Sequence, residues 1–256
     1  MPVLYEPCVA FVVQGNKRGF LGDRTFIYSP NSYLVLTAPL PFECETEGSA
    51  EEPLLCLYVR LRRETIAELL ASLSPDRMPP SVVPRTIESV AMDAEMSDAV
   101  LRLLRSMRSP DDARILGPQL IREIVYRVLT GRQGSALRAM VGFDSHFSRI
   151  CRALNQIHRD YQKSLNIGQL ARVAGMSPSV FHLHFKAVAS TTPVQYLKAV
   201  RLHKARSLMI DEGLGAASAA TRVGYQSASQ FSREFKRLFG YPPASETSRF
   251  KSTPML

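Results

Sequence analysis

A local pattern written twice between Ser164 and Lys236 constrains this chain more than any other feature. The first copy runs Leu170-Ala171-Arg172-Val173-Ala174-Gly175-Met176-Ser177 and continues Ser179-Val180-Phe181-His182-Leu183-His184-Phe185-Lys186. The second runs Ala219-Ala220-Thr221-Arg222-Val223-Gly224-Tyr225-Gln226 and continues Ser229-Gln230-Phe231-Ser232-Arg233-Glu234-Phe235-Lys236. Each copy is a short helical run, a Gly at the break, a polar turn and a second helix ending in Phe-Lys, which is how a helix-turn-helix is spelled. Gly175 and Gly224 stand where the first helix of each pair must stop, in a backbone region that favours a residue without Cβ. The glycines are 49 residues apart and the Phe-Lys pairs 50, so the second turn is one residue longer.

The charge follows the motif. Residues 145–256 hold 16 Lys and Arg against 5 Asp and Glu, a net +11, whereas the remainder holds 16 against 18, a net −2. A basic domain of this size suits a polyanion such as DNA. At 256 residues the chain is long enough for two cores. No apolar run reaches the length of a membrane span and the N-terminus does not read as a leader, so a cytosolic protein without a membrane partner is expected. The four Cys (Cys8, Cys44, Cys56 and Cys151) have no paired spacing and read as reduced thiols.

From about Phe147 to Tyr241 the sequence resembles the double helix-turn-helix domain of the AraC/XylS family of bacterial transcription regulators. The resemblance rests on Phe185-Lys186, the Arg201…Ala205-Arg206…Leu208 helix between the copies, Gly224-Tyr225, and Phe231 through Lys236 running on to Phe239-Gly240 and Pro243. It covers a little over a third of the chain. Two departures stand out. Glu246-Thr247 stands near the place of the Tyr-Arg pair usual after the final Pro, and the first helix of the second copy is Ala-rich (Ala216, Ala217, Ala219, Ala220), which predicts a thin core.

Residues 3–61 read as strands: Cys8–Val13, Gly19–Leu21, Thr25–Tyr28, Ser32–Thr37 and Leu54–Leu61, broken by Gly-Asp, Ser-Pro-Asn, Pro39, Pro41 and an acidic loop over 43–52. Short strands at this spacing suggest a small sandwich or barrel. Their place ahead of an AraC-type domain implies the cupin-like effector module of that family. Residues 64–131 switch to helical period, with Ile66, Leu69, Leu70 and Leu73 on one face, then a loop carrying Pro75, Pro79, Pro80 and Pro84. Stripes at Val100 to Met107 and Leu116 to Leu129 could pair antiparallel, and in relatives of this architecture such helices make a dimer contact, so a homodimer is expected. Gly131, Gly134, Ser135 and Gly142 mark a linker. A helix follows from Ser145 to Tyr161, and Ser164 and Asn166 are candidate caps of the next.

The expected fold class is therefore α+β: a small N-terminal β-barrel, cupin-like, with helices, followed by an all-α domain holding two helix-turn-helix motifs. The expected divisions are 1–131 (effector and dimerisation, barrel over 3–61), a linker over 132–144, and a DNA-binding domain over 145–250.

In the helix opening at Ser177-Pro178, the residues Phe181, Phe185 and Val188 recur with core spacing, which leaves Ser179, His182, Leu183 and Lys186 outside. In the second copy Phe231, Phe235 and Leu238 face inward and Ser229, Gln230, Arg233, Lys236 and Arg237 outward. A helix fits the major groove, and outward residues near its N-terminus reach base edges. Gln230 suits adenine, Arg233 suits guanine or a phosphate, and Leu183 suits a thymine methyl or a neighbouring side chain. Lys186, Lys236, Arg237 and Arg201 suit phosphates. The resemblance places Ser179, His182, Leu183, Ser229, Gln230 and Arg233 at base-facing positions. The helix over 194–211 spans about 27 Å and can set the two recognition helices about one turn of B-DNA apart. Promoter DNA is the implied partner, with RNA polymerase a further candidate.

No enzyme is expected. All five His (His146, His158, His182, His184, His203) fall in the second domain, away from any barrel metal site, and no nucleophile elbow or phosphate loop occurs. No cofactor and no metal are expected. Phe11, Phe20, Phe26, Tyr28, Tyr33 and Phe42, with Tyr5, offer aromatic surface to a small-molecule effector of unknown identity. Cys8, Cys44 and Cys56 allow a rival reading as a thiol sensor of oxidants or electrophiles; a pure dimerisation module and a cupin-type enzyme fused to the DNA-binding domain are the others.

Overall fold

A computed structural model describes residues 2–246 apart from Asp23, Asn31, Ala50, 75–83 and 143–144. The expected loop at Pro75, Pro79 and Pro80 and the end of the DNA-binding domain at 247–250 lie outside the described residues.

The chain opens with seven strands: β1 (Pro2–Tyr5), β2 (Cys8–Gln14), β3 (Asn16–Leu21), β4 (Arg24–Tyr28), β5 (Ser32–Leu36), β6 (Leu40–Glu47) and β7 (Leu55–Arg60). An eighth, β8 (Ile87–Ala91), follows helix α1 (Arg63–Ser72). All described pairings are antiparallel, in two four-stranded sheets ordered β1-β6-β3-β4 and β7-β2-β5-β8. The sheets do not close on each other. The expected barrel is an open sandwich: its sheets touch along β4 and β8, and its other edge is bridged by side chains, Tyr5 of β1 and Lys17 of β3 reaching Tyr58 of β7.

Why β2 and β5 read as unbroken apolar runs is now plain. Along a strand alternate side chains face opposite ways, and this sheet is covered on both faces. Cys8, Ala10, Val12, Leu34 and Leu36 point at the other sheet, whereas Val9, Phe11, Tyr33 and Val35 point at the helices. Three strands have no counterpart among those expected from the sequence: β1, β6 and β8. Strand β6 was read as a proline-broken acidic loop, but Leu40, Phe42 and Cys44 alternate inward against Pro41, Glu43 and Glu45. Strand β8 hides in a helix-period region and pairs with β5.

The helical layer is α1 with α2 (Ala94–Ser106), α3 (Pro110–Ile115), α4 (Gly117–Thr130) and α5 (Gly134–Val141). Helix α5 occupies the expected linker. Its Leu137 and Met140 are buried with Ile66 of α1 and Val128 of α4, and the Arg63 guanidinium donates to the Met140 carbonyl, so glycines here mark helix ends rather than slack chain.

The remainder is helical: α6 (His146–Asp160), α7 (Ile167–Ala174), α8 (Pro178–Ala189), α9 (Pro193–Asp211), α10 (Ala216–Arg222), α11 (Ala228–Phe239) and a 3-10 turn at Pro243–Ser245. One apolar cluster runs from between the two sheets into α6, α7, α8 and the start of α9. The C-terminal half of α9 joins α10 and α11 in a separate cluster.

Candidate nucleic-acid interface

Each recognition helix is fixed by its sequence. Asn166 caps α7 with a reciprocal box to Gln169, and Ser164, the other candidate, has no such role. Gly175 ends α7 at φ +62°. Ser177 then caps α8, with Pro178 in the first turn. Phe181 and Phe185 are fully buried. The second copy repeats the plan with Gly224 at φ +91° and Ser227 as the cap of α11. Its thin helix is thin indeed, offering Ala219, Ala220 and Val223, and the bulk comes from Phe231, Phe235 and Phe239. The third inward residue is thus Phe239; the expected Leu238 is only half-buried.

The outward faces follow from this packing. Ser179, His182, Leu183 and Lys186 on α8 are exposed, as are Ser229, Gln230, Arg233, Lys236 and Arg237 on α11. Leu183 is 69% exposed, so it does not pack on a neighbour. Gln230 donates from its amide to Glu234 at 3.2 Å.

Arg201 departs from expectation. It is half-buried, its Nε and Nη2 donate to the carbonyls of Tyr161 (2.7 Å) and Lys163 (2.9 Å), and it lies beside the Tyr225 ring. It is a structural clamp between the α6 end and the second unit, not a free phosphate contact. Gly224 belongs to the same joint: a Cβ there would collide with the Gln162 carbonyl and approach the Arg201 guanidinium.

Sequence reading also missed Glu234. Burial alone would raise its carboxyl, but Lys198 at 2.6 Å, the Tyr225 hydroxyl at 2.7 Å and Gln230 hold it below its ordinary value. Its partner Lys198 ties α11 to α9. Glu246, noted as a departure from the family pattern, is buried and pairs with Arg206 of α9 at 2.7 Å. The Lys198–Glu234 and Arg206–Glu246 pairs join residues remote in sequence, so no local spacing announces them.

The first unit is bonded to the sandwich. The Tyr196 hydroxyl donates to the Pro39 carbonyl at 2.5 Å and meets His158 Nε2 at 2.8 Å, and Thr86 Oγ1 donates to the Val188 carbonyl at 2.8 Å. Burial pushes His158 down to about 4, keeping the ring neutral. Beside this joint a cleft of about 700 Å3 separates Phe20 and Phe42 of the sandwich from Leu202 and His203 of α9 and Arg237 and Leu238 of α11.

The aromatic residues singled out for an effector are scattered. Phe11 and Tyr33 pack together facing the helices, Phe26, Tyr28 and Phe42 are core between the sheets, and Phe20 lines the cleft. The cysteines are unbridged. Burial pushes the Cys8 thiol up to about 12 and also raises Cys56, the wrong direction for a thiolate sensor.

Residues 1–136 match the profile of the AraC-type transcriptional regulator N-terminus, and residues 170–249 match a helix-turn-helix domain. Among curated proteins, the probable transcriptional regulator LumQ of Photobacterium leiognathi is 34% identical over 89 residues, 35% of this chain and 36% of LumQ. The regulator AlkR of Acinetobacter baylyi is 36% identical over 91 residues, 36% of this chain and 30% of AlkR. The chain thus spans about a third of the length of the curated relatives it matches. ToxT of Vibrio cholerae, solved with an unsaturated fatty acid bound, superposes with a TM-score of 0.65 at 12% identity over 96% of this chain and 90% of ToxT, a likeness of fold. With its N-terminal half and its helix-turn-helix region both matched, the chain belongs to the AraC family of transcriptional regulators.

Proposed function

We propose that this chain is a sequence-specific regulator of transcription that lays α8 and α11 into successive major-groove segments of promoter DNA. The observation that carries this reading is that two helices with buried Phe stripes turn Ser179, His182 and Leu183, and Ser229, Gln230 and Arg233, outward from a strongly basic domain. Lys186, Lys236 and Arg237 lie farther along the same faces and serve phosphates. The 19 residues of α9 rise about 28 Å, a spacer that suits one turn of the duplex. The DNA-binding unit is assigned to 145–250 and the N-terminal unit to 1–142, extended to take in α5.

The N-terminal unit receives the signal and pairs two copies of the chain. A small molecule is the favoured signal, because ToxT, which shares the fold, carries a fatty acid, and because burial shifts the Cys8 and Cys56 thiols away from reactivity. The two apolar stripes pack on each other within the chain as α2 against α4, with Val100, Leu103, Ile124 and Val125 buried. The surface left for a second copy is Leu101, Met107, Ile115, Leu116 and Ile121, all exposed.

Selection of bound duplexes from a random pool by the full chain tests the reading. A two-part sequence preference is expected. On the selected duplex Arg233→Ala weakens binding by about 1–3 kcal/mol and relaxes one position, while Lys186→Ala weakens all sequences alike and lowers the salt slope by about 1. Binding without sequence preference overturns it.

A further inference from the structure

Lys17 on β3 is only 8% exposed, inside the open edge of the sandwich. Its ammonium donates to the Tyr5 hydroxyl at 2.6 Å and the Tyr58 hydroxyl at 3.3 Å. Among the described residues it makes no ion pair: Arg18 beside it takes Glu45 and Glu47, whose side chains lie on the outer face of β6. A buried cation held only by neutral phenols is costly, because phenol oxygens replace part of its hydration but none of its countercharge. Burial raises the phenols of Tyr5 and Tyr58, so both keep their protons and can donate.

The position of this group is as telling as its charge. Tyr5 belongs to β1 and Tyr58 to β7, the strands that end the two sheets on the side where the sandwich does not close. Their hydroxyls meet at 3.1 Å across that edge, in an exposed contact. Opening the slot parts the two phenols and gives up this one solvated hydrogen bond, worth little, together with the contact of their rings, which an aromatic guest restores. Behind it stand flat walls: the Tyr5 ring stacks on Phe42 at 5.0 Å, and the Tyr58 ring lies 5.5 Å from Tyr5.

Resting on the reading that the N-terminal unit takes a small-molecule signal, we propose that the β1/β7 edge is the entry and anchor site for a small aromatic carboxylate, with Lys17 as its counter-ion and Tyr5 and Tyr58 as a phenolic gate. The ammonium and the two phenol hydroxyls converge as donors on a group that only accepts, which suits a carboxylate with its two oxygens. The ring slides between Tyr5 and Tyr58 and keeps the aromatic contacts that the closed gate makes with itself. Binding replaces the Tyr5–Tyr58 bond by a link through the ligand, which changes how β1 and β7 are held.

Calorimetric titration of the full chain with benzoate, phenylacetate, hexanoate and inorganic phosphate tests the assignment. The aromatic acids are expected to bind one per chain, ahead of hexanoate and well ahead of phosphate. Lys17→Met, which keeps the length and removes the charge, lowers the affinity about ten- to a hundredfold, and its unliganded melting temperature does not fall. Tyr58→Phe, at a 42% exposed position that folding tolerates, lowers the affinity a few-fold. No binding of any carboxylate to the unaltered chain overturns the proposal. So does equal affinity in Lys17→Met, or phosphate binding as tightly as benzoate. Binding of the unliganded chain to its selected duplex is measured separately: if it persists while the titrations are silent, only the Lys17 assignment falls.

Discussion

The two helix-turn-helix units share a sequence plan but not an attachment. The first is continuous with the sandwich core, sealed by Tyr196 and Thr86. The second has its own small core, closed at its end by the Arg206–Glu246 pair, and reaches the rest through α9, the Lys198–Glu234 pair and the Arg201 clamp. Burial holds the first and polar bonds hold the second. Salt does not screen apolar packing, whereas it screens ion pairs. The first unit is therefore expected to stay with the sandwich as salt rises, and the second to loosen first.

The largest expected effect that can break this contrast comes from the cores. Phe185→Ala and Phe235→Ala each remove a fully buried ring, at a cost of about 3–5 kcal/mol. Hydrogen exchange separates them: Phe185→Ala loosens the sandwich together with the first unit, whereas Phe235→Ala loosens α10 and α11 and leaves the strands protected. Equal spread of both changes contradicts the division.

The helix-ending glycines give the next effect. Gly175 has open space where a Cβ would go, and Gly224 has the Gln162 carbonyl. Gly175→Ala is expected to cost about 1 kcal/mol for its left-handed backbone, and Gly224→Ala about 2–4 kcal/mol because overpacking adds to strain. Denaturant titration of both variants checks the order.

Tyr196→Phe sharpens the picture of the first joint. It strips the donor from Pro39 and the partner from His158, leaving buried polar groups unpaired, for about 1–3 kcal/mol. Thermal melts with and without the substitution read it.

The smallest effect at neutral pH is proton linkage. Burial holds both His158 and His203 down to about 4 in the folded chain, against about 6.5 unfolded. The unfolded chain then binds protons first as pH falls, so the stability present above about 6.5 is lost on the way to about 4. His158 reports on the first unit. His203, whose buried Nε2 has no hydrogen-bond partner among the described residues, reports on the second. His203→Leu is expected to flatten the acid loss of protection in α10 and α11 while that in α6 to α8 persists, as read by hydrogen exchange at pH 7 and pH 5.

Sequence legibility divides along the same line. Local rules account for the recognition helices: the Phe181 and Phe185 stripe, the glycine stops, the Ser177-Pro178 opening and Asn166 as a cap all depend on near neighbours. What failed depends on partners far along the chain. Strand β6 was hidden by Pro41, which sits on its outward face opposite Leu4; α5 was hidden by its glycines. Arg201 looked like a phosphate contact because its acceptors, the carbonyls of Tyr161 and Lys163, are some 40 residues away. Lys17 gave no signal at all, since only the placement of β1 and β7 buries it between two phenols.

Hydroxyl-radical footprinting of the full chain on its selected duplex tests the central claim most directly. Two protected segments about one helical turn apart are expected, with Arg233→Ala weakening protection in the one bound by α11 and sparing the one bound by α8. A lone protected segment, or two that survive Arg233→Ala unchanged, contradicts the account.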